Sequence, residues 1–133
     1  MTRARCFLIL LAAAVAAAGC GGGHMTPEQV VRGWSAAVNR GDDEAAAKLF
    51  GSRVVFVAGD YQTVVRTHTQ AVAFNRELRW CGPIVRLARH GNEVIAQFSL
   101  RTRGHCDSGG RERGSVAFSV RDRKIVFFDQ IGA

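Results

Sequence analysis

The spacing of hydrophobic and polar positions changes repeatedly along the chain. Phe7 to Ala18 is an unbroken apolar run of twelve residues, preceded by Arg3 and Arg5 and followed by Gly19-Cys20. A cationic start, a short apolar run and a small-residue exit form a secretory signal, and the run falls short of the about 20 residues that a membrane span needs. From Val30 the apolar positions take helical spacing: Val30, Val31, Trp34, Ala37 and Val38. Thr26-Pro27-Glu28-Gln29 opens this helix with a cap, a proline in the first turn and a capping-box glutamine. Gly41 stops it, and Asp42 caps a second helix whose apolar stripe is Ala45, Ala46, Leu49 and Phe50.

Beyond Gly51 the period shortens. Val54-Val55-Phe56-Val57 predicts a strand, Gly59-Asp60 a turn, and Gln62 to Arg66 a short second strand. Thr69 to Arg79 predicts a third helix with Ala71, Phe74 and Leu78 on one side. After Cys81-Gly82-Pro83 the pattern becomes alternating. Ile84–Arg89 and Glu93–Arg103 flank the turn His90-Gly91-Asn92, and Ser115–Val120 and Ile125–Ile131 flank Arg121-Asp122-Arg123-Lys124. The polar, glycine-rich stretch 104–114 is a loop. These elements predict an α+β domain with helices on one face of a curved, mostly antiparallel sheet.

The cysteine after the signal, with the Gly21-Gly22-Gly23 spacer, resembles the lipobox of bacterial lipoproteins. In that family the cysteine is lipidated and becomes the new N-terminus. The resemblance implies a signal peptide over 1–19, a lipidated Cys20 with a glycine-rich tether over 20–26, and an exported domain over 27–133 held on the extracytoplasmic face of a cell membrane. Plain secretion and an uncleaved anchor are the alternatives.

The formal charge is +7 over 133 residues, and about +5 once Arg3 and Arg5 leave with the signal. Its basic residues are 16 Arg and 2 Lys. An arginine-rich surface fits either a solvated exterior or attraction to anionic lipid headgroups or envelope polyanions. Nucleic acid is not an expected partner: the arginines around the loop at 104–114 lack the interleaved aromatic residues of a stacking site.

Cys6 falls in the signal and Cys20 at its exit, leaving Cys81 and Cys106. In an exported domain such a pair reads as a disulfide, and closing the loop stabilises by about 3.5 kcal/mol on a chain-entropy argument. No metal site is expected, because His105 adjoins Cys106 without any spaced cluster of ligands. No cofactor is expected either.

Trp34 to Asp42, Ala45 to Phe50, and Lys124-Ile125-Val126-Phe127-Phe128-Asp129 resemble the first two helices and the last strand of the NTF2-like (SnoaL-like, cystatin-like) superfamily. The resemblance implies a cone of three N-terminal helices packed on a bent sheet around a pocket. Some members are isomerases, cyclases and dehydratases, while others only bind ligands or dimerise, so the fold leaves the function open. The isomerase positions fall at Ala58 for the general base, Trp34 for the tyrosine, and Ser115 or Val116 for the second acid. None carries the required group, so isomerase chemistry is not implied.

Asp60 and Asp129 are the weak catalytic candidates. Asp60 stands beside a turn glycine, and either Asp129 or Gln130 must point inward, since strand neighbours alternate. Trp34, Tyr61, Gln97 and Phe128 are the candidate pocket residues, with Trp34 as core or wall, Tyr61 as surface or rim, and Gln97 as solvent-facing or lining. The expected function is non-catalytic binding of a small apolar ligand or a protein. The alternatives are a SnoaL-like enzyme and a dimerising envelope module. Expected partners are the membrane through the lipid, a small apolar ligand, and a second copy or an envelope protein.

Overall fold

A computed structural model describes residues 23–106 and 108–132. The expected signal and Cys20 lie outside the described residues. Helix α1 spans Pro27–Asn39, and Thr26 and Gln29 close the capping box: the Thr26 hydroxyl accepts from the Gln29 N–H at 3.2 Å, and the Gln29 Oε1 accepts from the Thr26 N–H at 2.8 Å. Asp42 caps α2 (Asp43–Lys48) by accepting from the Ala45 N–H at 2.9 Å. Strands β1 (Phe50–Ala58) and β2 (Tyr61–Val65) form a hairpin, followed by α3 (His68–Glu77). Two helices, not three, therefore precede the sheet; the third follows its first hairpin.

The remaining strands are β3 (Trp80–Cys81), β4 (Ile84–His90), β5 (Glu93–Ser99), β6 (Arg101–Thr102), β7 (Arg113–Arg121) and β8 (Lys124–Gly132). The main sheet has the order β2-β1-β8-β7-β5-β4, with β1 and β8 parallel and every other neighbour antiparallel. Irregular register in the β1–β8, β7–β8 and β4–β5 pairs bends the sheet around the helices.

The stretch expected as one strand from Glu93 to Arg103 is broken at Leu100. Its N–H leaves the ladder to donate to the Glu112 carbonyl at 2.9 Å, and the chain continues as β6, paired with β3. Gly82, just beyond β3, is required by close approach. Its φ is +134°, and a Cβ there would stand 1.8 Å from the Ser99 carbonyl oxygen. The Asn39 side-chain amide grips the same glycine from α1, accepting from its N–H at 2.9 Å and donating to its carbonyl at 3.1 Å. Cys81 and Cys106 are joined by a disulfide that ties β3 to the loop after β6.

Trp34 is the centre of the core. It is fully buried, and the rings of Trp80, Phe98, Phe118 and Phe128 surround it at centroid distances of 6.2, 6.3, 5.4 and 5.2 Å. Offset or edge-to-face ring pairs of this kind add to the gain from apolar burial. Such packing fills the middle of the core among the described residues.

Candidate ligand site at the open end of the cone

A cavity of about 280 Å³ opens at the end of the sheet that carries the disulfide. Its walls include Trp80, Phe98, Leu100 and Val116. Phe98 and Val116 point inward because each occupies the helix-facing parity of its strand. Leu100 reaches the cavity because the chain breaks out of the ladder there. Gly114 makes room for it: a Cβ at that position would come within 2.9 Å of the Leu100 side chain.

The polar residues among those lining the cavity are Ser115 and Gln130, and none of the described lining residues is ionisable. Gln130 pairs with Ala58 on one side and Val116 on the other, and both also line the cavity. Thus Gln130, rather than Asp129, takes the inward position. Asp129 pairs with Val57 and Ala117, is half-buried, and lies on the face of the sheet away from the helices.

Ala58, Ser115 and Val116 all line this one cavity. The positions at which the family resemblance looks for the isomerase acids therefore converge in space, and they converge without a proton donor or acceptor of suitable acidity. Asp60 is exposed in the β1–β2 turn and is not among the lining residues. Tyr61 stands opposite Ala58 in the ladder and is 60% exposed, with its ring packed edge-on against Phe56.

Trp34 and Phe128 are completely buried. Trp34 backs the cavity by packing on Trp80 and Phe98. Gln97 is half-buried on the outer face, opposite Ser115 and Arg86. Its neighbour Ser99 is buried, donating to the Gly110 carbonyl at 2.8 Å and accepting from Arg113 at 3.0 Å.

Two important residues have no assigned role at the level of sequence. Trp80 is a wall of the cavity, and an aromatic residue beside a disulfide cysteine was the available signal. Asn75 is fully buried and accepts from the Trp34 indole N–H at 2.8 Å while donating to the Ala71 carbonyl at 2.8 Å. It falls four residues after Ala71 and so shares the apolar side of α3. A polar residue in that register was its signal.

Beyond β6, Arg103 pairs with Asp43 at 2.7 Å and donates to the Asn75 carbonyl at 2.5 Å. The disulfide loop is thereby fixed to both α2 and α3. Among the described residues, no three His, Cys, Asp or Glu side chains are grouped to hold a metal ion, and no helix is long and apolar enough to cross a membrane.

No family model and no curated protein matches the sequence. The fold is similar to several solved structures. An NTF2-like protein of unknown function from Cytophaga hutchinsonii superposes with a TM-score of 0.67 at 13% identity, covering 84% of this chain and 93% of the other. A cystatin-fold protein from Novosphingobium aromaticivorans gives 0.62 at 18% identity, over 80% and 98%. A protein with a ketosteroid isomerase-like fold from Catenulispora acidiphila, solved with trimethylamine, gives 0.61 at 16% identity, over 82% and 88%. At these identities the likeness is one of architecture, and it shows that this chain has the NTF2-like fold.

Proposed function

We propose that the protein is a membrane-tethered, extracytoplasmic lipoprotein whose NTF2-like domain binds a small apolar molecule without transforming it. The observation that carries the binding reading is the cavity's chemistry: apolar walls, Gln130 for orientation, and no ionisable group among its described lining residues. Ligand sites are mostly apolar, with a few placed polar groups. Acid–base catalysis needs a group that exchanges a proton within hydrogen-bond reach. At about 280 Å³ the cavity lies just below the usual range of about 300–1,000 Å³, which selects a fragment-sized apolar group over a polycyclic one. The signal pattern and Cys20 support the tether, and the disulfide is compatible with an oxidising compartment.

Native mass spectrometry of the oxidised protein tests the binding reading. The expected result is a reproducible extra mass that disappears on denaturation and is absent from Ala58→Phe, which fills the cavity. A bare mass, together with no change in Trp fluorescence across a panel of apolar fragments, would overturn it. The tether has its own test: the N-terminal peptide of protein taken from membranes should begin at an acylated Cys20.

A further inference from the structure

The opposite end of the sheet carries a concentration of positive charge. Lys48, Arg53, Arg66, Arg121, Arg123 and Lys124 are all exposed. None has an ion-pair partner among the described residues, which is also true of Arg32, Arg79 and Arg111 elsewhere on the surface. The six line three surface hollows that run into one another. Two of these share Gly51, Ser52 and Lys124, and another two share Arg121 and Asp122. Asp122 is the one carboxylate among the described residues lining them. Between the cations the floor includes Val55, Val126 and Phe127, each half-buried.

Two further observations distinguish this end from a generally basic surface. First, the third hollow is bounded by Met25 and Pro27. The described chain begins at Gly23, so whatever precedes it joins the domain beside Arg121 and Arg123. Second, the two-residue loop between β7 and β8 is Asp122-Arg123, with φ of +49° and +62°. Left-handed positions in such loops favour Asn and Gly. Here the second carries a cation at the outermost point of the hairpin.

We propose that this basic end is a docking surface for anionic lipid headgroups, which seats the domain on the membrane with its cavity facing away. The choice of lipid as the occupant rests on the tethered reading above. Cations close to an anionic bilayer are attracted within a Debye length. A tether attached at the same corner brings this end of the domain to the bilayer surface, and the short linker makes the encounter intramolecular.

Co-sedimentation with vesicles tests this on residues 23–133, which need no acyl chain. The described core runs from Val30 to Phe128, so this segment holds it in full. Partitioning onto phosphatidylglycerol–phosphatidylcholine vesicles at low ionic strength is expected, with none onto phosphatidylcholine alone and release by added salt. The triple change Arg53→Gln, Arg121→Gln, Arg123→Gln should weaken partitioning about a hundredfold, at about fivefold per cation. Arg32→Gln, Arg79→Gln, Arg111→Gln removes the same charge elsewhere and should weaken it far less. Equal weakening by the two triples would overturn the site, as would failure of the wild type to bind anionic vesicles even if it is retained on a soluble polyanion. If circular dichroism shows the first triple misfolded, the pair Arg53→Gln, Arg66→Gln replaces it under the same criterion. An unacylated Cys20 in native protein would remove the tether while leaving the vesicle result intact.

Discussion

The indole N–H of Trp34 and the side-chain oxygen of Asn75 meet at 2.8 Å in a part of the core where neither residue is exposed. This bond joins α1 to α3 and satisfies the polar atom of the largest core ring. A buried donor that loses its acceptor costs about 1–3 kcal/mol. Asn75→Leu should therefore lower stability by about 2 kcal/mol. Combined with Trp34→Phe, its effect should be less than additive, giving a coupling of about 1 kcal/mol in a double-mutant cycle by denaturant unfolding. Strict additivity would mean that the bond contributes nothing net.

The disulfide spans 25 residues, and its removal should act mainly on the unfolded chain. Cys81→Ser with Cys106→Ser should lose about 3.5 kcal/mol in denaturant titration. Reductant should lower the wild type to a similar level and leave the double variant unmoved.

Glu28 gives the protein a specific acid sensitivity. Its own backbone N–H at the start of α1 holds the carboxyl below its ordinary value of 4.5, and Thr26 and Arg89 act in the same direction. A lowered folded-state value means that this contribution is fully present above pH 4.5 and is lost as pH falls through the lowered value. Titration by NMR should place Glu28 below 4.5, and Arg89→Ala should move it upward. An unchanged titration in Arg89→Ala would show that the ion pair at 3.2 Å has no weight in solution.

Arg123→Gly separates stability from surface charge at a single position. The φ of +62° is strained for arginine and relaxed for glycine. The left-handed region disfavours a side chain by about 1–2 kcal/mol, and the looser unfolded chain of the variant offsets part of that gain. The melting temperature should rise by a few degrees while binding to anionic vesicles falls. A drop in melting temperature would show that the Arg123 side chain supports the hairpin.

Local signals made much of the fold legible. Thr26 and Gln29 marked the start of α1, Gly41-Asp42 marked the joint with α2, and Val94, Ala96 and Phe98 alternated inward as a half-buried strand must. The Cys81–Cys106 pair was also legible, as the two cysteines left outside the N-terminal segment. Nothing local shows that β8 inserts between β1 and β7, or that β1 runs parallel to it, because the paired residues, such as Val55 and Phe127, are more than seventy positions apart. The short β3–β6 ladder is hidden for a similar reason, since Trp80 and Thr102 pair only because Leu100 leaves the sheet.

The site was less legible than the fold because its side chains lie beyond irregularities in register. A single extra residue reverses every side chain that follows it. The β7–β8 pair shifts twice, and β1 shifts against β8 between Phe50 and Val55. Whether Asp129 or Gln130 entered the cavity was decided there, and alternation alone could not choose between them.

The parallel pair β1 and β8 has a consequence for traffic to the site. Lys124 and the basic hairpin stand at one end of β8, and Gln130 and the cavity lie towards the other, about 20 Å away at a rise of about 3.3 Å per residue. With the basic end seated on headgroups, the mouth opens well clear of the bilayer. A guest would then arrive through water rather than by sliding sideways out of the lipid. Its free concentration in the aqueous space would then set how fast the cavity fills.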